Sequence, residues 1–311
     1  MTVPAGAGDS TDLIQPFRIE GGEVRGRLVR LSATTREILG RHAYPPPVAA
    51  LLAEALALTA ALSAALKFEG IFTFQLKGDG PVRLLVADVA TGGKLRGYAQ
   101  VDAAKVPERV VPSVPALVGK GYLALTVDQG PHTDRYQGIV DLAGETLADC
   151  ARHYFERSEQ IDTQFHVASA EADGGWDAAA LMIQRMPPAG AVDLSWRDAV
   201  EDWRRARALA ATVTARELLD PALSPHALLH RLFHEDGVRV YRPHPLAFGC
   251  RCSRERAERV VRSIPAEDRA DLKVDGRIVA TCEFCGTVYD FDDAQLAQPE
   301  EPPQFRHDAP A

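Results

Sequence analysis

The sequence is poor in cysteine, in aromatic residues and in positive charge, and each shortage argues against a class of protein. Five cysteines in 311 residues are too few for a secreted scaffold held together by disulfides. An aromatic fraction of 7% and a net charge of -8 disfavour a protein whose main task is binding nucleic acid. The chain is long enough to bury a core without disulfide staples, and its length favours two or three domains.

A membrane location is also disfavoured. Residues 1–11 contain no basic patch followed by an apolar run, so we expect no secretory signal. The most apolar stretch, Val48–Leu66, is long enough to span a bilayer, but it is largely alanine and includes Glu54. We interpret it as a buried core helix that begins after three prolines. These features predict a cytoplasmic protein with no membrane partner.

Motifs of several enzyme classes are missing. The chain has no Gly-x-Ser-x-Gly elbow, no Walker A loop, no dinucleotide-binding Gly-x-Gly-x-x-Gly after a strand and no His-Glu-x-x-His. A zinc deaminase would also need a His-x-Glu motif beside its cysteine pair. We therefore expect a protein that is not an enzyme, and the lack of a phosphate-binding loop agrees with a function that does not use ATP.

Strand and helix patterns indicate an α+β main domain. Val24–Leu31 and Ile71–Leu76 alternate apolar and polar residues, which is typical of strands with one buried face. Tyr122–Val127 and Gln137–Val140 predict another strand pair, followed by a helix over 146–158. Because the strands are separated by helices without regular βαβ repetition, an α+β fold is favoured.

A helical linker follows a break at Pro187-Pro188. Thr214 and Glu217 form a predicted capping box, and Ser224 precedes a proline at the start of the next helix. Such short helices are marginal alone and need a surface to pack against. We therefore expect a docked, movable segment. Its apolar stripe includes Trp196, Val200 and Trp203. These residues would be shielded while the segment is docked and would form a large patch for binding other proteins when it is released. For an arbitrary helix, such a stripe is more often permanent core.

Four of the five cysteines are clustered in the sequence. Cys250 and Cys252 are followed, after 29 residues, by Cys282 and Cys285. Two closely spaced pairs supply the two edges of a tetrahedron, so the pattern predicts one Zn²⁺ bound by four thiolates. Gly286 can take the positive φ that a Cys-x-x-Cys turn needs. The small surrounding unit has few large apolar residues and is expected to need the metal to stay folded.

The same cysteines are candidates for a redox switch. Thiolates are attacked by peroxide or hypochlorous acid, and flanking arginines at 251, 254 and 256 favour the thiolate form. Metal loss would remove about 10–16 kcal/mol of binding free energy, which is as large as the stability of a typical domain. The cysteine spacing alone does not distinguish such a switch from a purely structural zinc site.

The sequence around the cysteines resembles the 33 kDa chaperonin (heat-shock protein 33) family of redox-regulated chaperones. The first pair lies in Tyr241–Ser253 and the second in Cys282–Phe291. Further similar segments occur upstream: Gly78-Asp79-Gly80-Pro81, Arg135–Val140, Tyr154-Phe155 and Ser158-Glu159-Gln160. The resemblance covers roughly residues 14–291.

This resemblance implies an ATP-independent holdase. In the reduced form one zinc ion is bound and the chaperone is inactive. The resemblance implies that oxidation forms a disulfide within each cysteine pair and expels zinc. The C-terminal domain then unfolds and the linker loosens. Unfolded client proteins bind to the released form, and the chain dimerises. The divisions we expect are a disordered tail at 1–12, an α+β main domain at 13–187, a helical linker at 188–237, a zinc-binding redox-switch domain at 238–293 and a disordered tail at 294–311.

Two other interpretations of the cysteines are weaker. A zinc-ribbon protein that binds nucleic acid would need a basic surface, but residues 238–293 contain ten Lys or Arg and ten Asp or Glu. A thiol oxidoreductase would need a thioredoxin-like βαβ setting, which this region lacks. His226, His230 and His234 share one helix face and could hold a metal, although a plain solvated face is favoured. Cys150 is expected to be buried and outside the switch.

Overall fold

The computed structural model describes residues 12–20, 23–66, 68–107, 113–130, 133–172, 174–186 and 196–297. Contacts divide the chain into two compact units, Met1–Cys250 and Arg251–Ala311. The α+β fold class is confirmed, because the described residues form sheets together with helices in no regular βαβ order.

The first unit contains most of the secondary structure. Its strands in the described residues are β1 (Leu13–Ile19), β2 (Val24–Leu31), β3 (Ile71–Gly78), β4 (Val82–Ala90), β5 (Lys94–Val101), β6 (Gly121–Asp128), β7 (Tyr136–Asp141), β8 (Thr163–Ala172), β9 (Gly175–Arg185), β10 (Val238–Val240), β11 (His244–Pro245) and β12 (Ala247–Phe248). Its helices there are α1 (Ala33–Leu39), α2 (Pro46–Ser63), α3 (Val114–Leu117), α4 (Leu147–Tyr154), α5 (Trp196–Ala210), α6 (Ala215–Leu219) and α7 (Pro225–Phe233).

These strands form two sheets. The first has the order β10-β1-β2-β9-β8, and β11 also pairs with β1. The second has the order β12-β5-β4-β3-β6-β7. Neighbouring strands run antiparallel, except that β12 is parallel to β5. The predicted pairing of β6 with β7 is confirmed, with Tyr122 opposite Asp141.

The long apolar helix α2 is the centre of the main core. By length and composition it could cross a membrane, but 83% of its residues are buried inside the protein. It contacts strands of both sheets, and its small alanines allow both to approach closely. The hydroxyl of Thr59, which is fully buried, donates to the Ala55 carbonyl at 2.6 Å. The prediction of a buried core helix is confirmed.

Helices α5, α6 and α7 cover the other face of the first sheet. A second apolar core joins Phe17, Leu28 and Leu181 of the sheet to Trp203 of α5 and Phe233 of α7. The rings of Phe17 and Phe233 stack with centroids 5.7 Å apart. The predicted capping box of Thr214 and Glu217 is present at the start of α6. The linker helices are therefore docked on β1, β2, β8 and β9.

The chain after Gly237 differs from the expected boundary at 238. β10 and β11 pair with β1, and β12 pairs with β5, so residues 238–248 complete the two sheets of the first unit. The buried amide of Gln15 also donates to the Tyr241 carbonyl at 2.6 Å. These backbone pairings place the division after Cys250. The expected boundary at 187/188 lies outside the described residues.

The second unit is small. It contains α8 (Arg254–Ser263), α9 (Ala266–Asp271), α10 (Asp293–Ala297) and a sheet of β13 (Lys273–Val274), β14 (Arg277–Thr281) and β15 (Val288–Phe291). An Asp275-Gly276 turn joins the antiparallel strands β13 and β14, and both residues have positive φ. The described core consists of Val261, Ile278, Phe291 and Leu296. Val260 of α8 is 64% exposed.

The ordered structure also extends beyond the expected boundaries of both tails. Asp12 is buried, and its carboxylate accepts hydrogen bonds from the Ser32 and Thr34 amides before and within α1. At the other end, α10 extends past residue 293, because Leu296 closes the small core. Residues 1–11 and 298–311 lie outside the described residues.

Candidate metal centre

The second cysteine pair lies in a tight turn after β14. The Cys282 amide donates to the Thr287 carbonyl at 2.9 Å, and the Gly286 amide donates to the Cys282 carbonyl at 2.8 Å. Gly286 has φ +70, a conformation in which a side chain would be strained. The turn brings both sulfur atoms to the same side, as the Cys-x-x-Cys spacing predicted.

The first cysteine pair follows β12 directly. The Gly249 amide donates to the Leu95 carbonyl at 3.0 Å, which fixes the backbone one residue before Cys250. A Cβ at Gly249 would lie 2.8 Å from side-chain carbons of Lys94, so a small residue suits this approach. After Cys252, the hydroxyl of Ser253 accepts from the Arg256 amide and caps α8.

All four sulfur atoms come together. They lie within 4.8 Å of one another, and the Cys252 and Cys285 sulfurs are 3.4 Å apart. Tetrahedral zinc with Zn–S of about 2.3 Å requires sulfurs about 4 Å apart, so the cluster fits such an ion. Among the described residues, it is the only group of three or more metal-binding side chains with this proximity. Four soft sulfur donors suit metals such as zinc better than hard cations such as calcium or magnesium.

Hydroxyl groups contact two of the sulfurs. The Tyr289 hydroxyl donates to Cys252 Sγ at 3.2 Å, and the Thr287 hydroxyl oxygen lies 3.1 Å from Cys285 Sγ. The hydrogen bond to Cys252, followed by burial and the charges of the cysteines, raises the pKa of Tyr289 to about 12. Tyr289 therefore remains a hydrogen-bond donor over the physiological range.

An arginine also contacts the sulfur of Cys250. Arg96 Nη1 donates to Cys250 Sγ at 3.8 Å, and its Nε lies 3.1 Å from the buried carboxylate of Asp88. No sequence pattern indicates Arg96, because the arginines near the cysteines in sequence are Arg251, Arg254 and Arg256. Of these, Arg254 donates to the Asp290 carbonyl at 2.8 Å, and Arg256 donates to the Arg251 carbonyl. Both support the fold of the second unit.

The other candidate residues lie apart from the cluster. Cys150 is 1% exposed in the main core, and burial raises the pKa of its thiol to about 11, so it remains an unreactive thiol. His226 Nε2 lies 3.1 Å from Gln15 Oε1, whereas His234 Nδ1 lies 3.0 Å from the His230 carbonyl oxygen. These contacts agree with a structural role for the three histidines.

The residues expected to bind clients are on α5. Trp203 is 6% exposed within the second core, and Val200 is half-buried. Trp196 begins the helix, but its side chain lies outside the described part. Of these three side chains, the structure shows Trp203 packed in the core between α5 and the first sheet.

Comparison with known proteins identifies relatives over nearly the whole chain. The family model described as "Hsp33 protein" matches residues 12–292. The 33 kDa chaperonin of Caulobacter vibrioides is 45% identical over 290 residues, covering 90% of this chain and 95% of that protein. The 33 kDa chaperonin of Pseudomonas fluorescens is 40% identical over 291 residues, covering 93% of each chain.

A solved structure has the same fold. The crystal structure of a 33 kDa chaperonin (heat shock protein 33 homolog) from Thermotoga maritima matches with a TM-score of 0.79 and 24% identity. The match covers 92% of this chain and 96% of that chain.

Proposed function

The chain belongs to the Hsp33 protein family, and from that membership we propose that it is an ATP-independent chaperone whose holdase activity is switched on by oxidation. The observation that carries the redox part of the proposal is the cluster of four cysteine sulfurs within 4.8 Å. Such a cluster holds a metal only while its sulfurs are thiolates, so oxidant and metal compete for the same atoms.

The metal proposed for the reduced form is a single zinc ion held by Cys250, Cys252, Cys282 and Cys285. When bound, zinc would offset two of the four thiolate charges and cross-link segments that are distant in sequence. The described core of the second unit has only four buried apolar residues, which is little apolar area to offset the entropy of ordering the unit. We therefore expect the fold of this unit to depend on the metal.

Oxidation by peroxide is proposed to convert the inactive, metal-bound form into the active form. Two thiolates of one cysteine pair lose two electrons, a disulfide bond forms, the peroxide O–O bond breaks, and two protons complete two water molecules. We propose pairing of Cys250 with Cys252 and of Cys282 with Cys285. Each disulfide removes two sulfur donors, so the second unit loses the cross-link that stabilises it.

Client binding is proposed to follow when the linker is released. The second core buries apolar residues on both the linker and the sheet, including Trp203, Phe233 and Leu28. Undocking would expose both surfaces to solvent, and contiguous apolar patches of this kind bind other proteins. Trp196, Val200 and Trp203 remain our candidates for contacts with unfolded clients. The proposal includes a cytoplasmic location, dimerisation of the oxidised form, no enzymatic activity, and no membrane or nucleic-acid partner.

The proposal is tested by light scattering from a heat-unfolding client protein without ATP. The chain is added either reduced and zinc-loaded or after peroxide treatment at the unfolding temperature. We expect suppression of scattering by the oxidised form alone. Equal failure of both forms would refute the chaperone function while leaving the metal site intact. Equal suppression by both would refute the switch.

A further inference from the structure

A half-buried arginine of the first sheet contacts the backbone of the linker. Arg30, at the end of β2, donates from Nη1 to the Leu223 carbonyl and from Nη2 to the Glu217 carbonyl, the latter at 2.9 Å. Glu217 lies in α6 and Leu223 in the turn before α7. One side chain therefore joins the sheet to two positions of the linker.

The apolar packing of the linker is thinnest at this place. In α6, Leu218 is the buried residue, whereas α7 buries four residues, among them Leu229 and Phe233. Two cavities lie beside Leu218, of about 450 and 310 Å³. Arg30 lines the larger cavity. Because few apolar contacts hold α6, polar contacts account for a larger share of its docking.

The attraction between Arg30 and the linker carbonyls is favourable, but desolvation of the guanidinium opposes it. Carbonyls in the last turn of a helix lack partners within the helix and carry partial negative charge, so they attract a cation. Burial lowers the pKa of Arg30, which the nearby Asp220 opposes. The Nε of Arg30 has no hydrogen-bond partner. In the docked state the guanidinium of Arg30 is partly desolvated, and its Nε donor has no partner. Release of the linker would return this group to water, which lowers the free-energy cost of undocking.

We propose that Arg30 is a latch for the linker, a positioning residue that holds α6 and the following turn on the sheet while the metal centre is intact. This inference rests on the proposed function, because it assigns one residue to the docking that the switch controls. Loss of the latch should loosen residues 212–224 while the metal remains bound.

Arg27 provides a matched control on the same strand. Arg27 and Arg30 are three positions apart in β2, so they lie on opposite faces of the sheet. Arg27 donates from Nε to the Ala64 carbonyl, after α2, at 2.9 Å. Burial also lowers the pKa of Arg27. The two arginines thus share burial and a backbone carbonyl partner, but only Arg30 bonds to the linker.

The test compares Arg30→Met with Arg27→Met in the full-length, reduced, zinc-loaded protein. Methionine keeps much of the apolar stem and removes the donors. Hydrogen exchange measured by mass spectrometry should show residues 212–224 exchanging about tenfold faster in Arg30→Met, which corresponds to the loss of hydrogen bonds from a charged donor. Bound zinc should remain at one equivalent. Arg27→Met should leave exchange in 212–224 unchanged, and Arg30→Lys should be intermediate.

Two results would overturn the latch. One is unchanged exchange in 212–224 for Arg30→Met; the other is an equal increase in both methionine variants, which would indicate general destabilisation. If Arg30→Met does not fold, Arg30→Lys decides by the same measurement against wild type. Exchange does not depend on client binding, so failure of wild type to suppress aggregation would refute the proposed function separately.

Discussion

The guanidinium of Arg96 and the sulfur of Cys250 are 3.8 Å apart, which places a cation from β5 beside one of the four clustered thiols. Asp88, directly opposite Arg96 in the antiparallel pair β4–β5, holds the guanidinium in position. Asp88 is 4% exposed and Arg96 15%, so the ion pair is poorly screened by solvent. A guanidinium at this distance attracts the negative charge that a metal-bound cysteine sulfur would carry.

Arg96→Lys should therefore weaken metal retention. Lysine can still pair with Asp88, but its single ammonium cannot contact both the carboxylate and the sulfur as the guanidinium does. We expect zinc transfer to a colorimetric chelator to become several-fold faster in the reduced protein. Arg135→Lys is the control, because Arg135 pairs with Asp128 at 2.7 Å on an exposed surface. Identical transfer rates for the Arg96 and Arg135 variants would show that the contact does not matter.

The metal cluster was predictable from the sequence, but its cationic neighbour was not. Cysteine pairs are local patterns, and the glycine after Cys285 indicates the turn that the backbone adopts. The Arg96–Cys250 contact joins residues 154 positions apart. It depends on β12, a strand of two residues that pairs with β5, and so short a strand has no recognisable hydrophobic period.

The fold was predictable where the periodicity was strong. The strands at Val24–Leu31 and Ile71–Gly78 follow a clear alternation. The helix α2 was recognised instead from its long apolar run and the three prolines before it. β9 was not recognised because Ala178–Ile183 are all buried, which gives a continuous apolar run without alternation, and three of these residues are alanines with low strand propensity. Capping residues identified the linker helices, whereas the sheet surface that receives them required the tertiary structure.

Removing one sulfur should unfold the second unit and leave the first unit folded. Cys285→Ser deletes a donor from the cluster and, with it, much of the metal binding free energy of about 10–16 kcal/mol. We expect loss of bound zinc and loss of exchange protection in α8, β14 and β15. Protection in α2 should persist. Cys150→Ser, in the main core, is the control and should retain zinc. A zinc-free Cys285→Ser protein with a protected second unit would contradict the dependence on metal.

Truncating an aromatic residue of the second core should loosen the linker before oxidation. Phe233 is fully buried and stacks on Phe17, and Phe→Ala in a core typically costs about 3–5 kcal/mol. Phe233→Ala should raise exchange in α7 and produce partial suppression of client aggregation by the reduced, zinc-loaded protein. Phe74→Ala removes an equally buried ring from the main core and serves as the comparison. If the reduced Phe233→Ala protein does not suppress aggregation despite an exposed linker, another surface binds clients.

The pH dependence of stability should depend on Glu54, a largely buried carboxyl in α2. Burial raises the pKa of Glu54 to about 7, although the hydroxyl of Ser169 donates to it at 3.2 Å. His166 and Glu145 line the same cavity. Because the folded state binds the Glu54 proton more tightly than the unfolded state, the stabilisation is fully present below pH 4.5 and is lost as pH rises to about 7.

Glu54→Gln should reduce the fall in unfolding free energy between pH 5 and pH 8, measured by urea denaturation of the reduced, zinc-loaded protein. The expected contribution of Glu54 is at most about 3 kcal/mol. His166 acts in the opposite direction: burial lowers its pKa, so its stabilisation is lost as pH falls below about 6.5. Glu145→Gln is the control: it changes an exposed carboxyl that lines the same cavity, and it should leave the dependence of unfolding free energy on pH as in wild type. A Glu54→Gln profile parallel to that of wild type would show that Glu54 is ionised in the folded chain throughout this range.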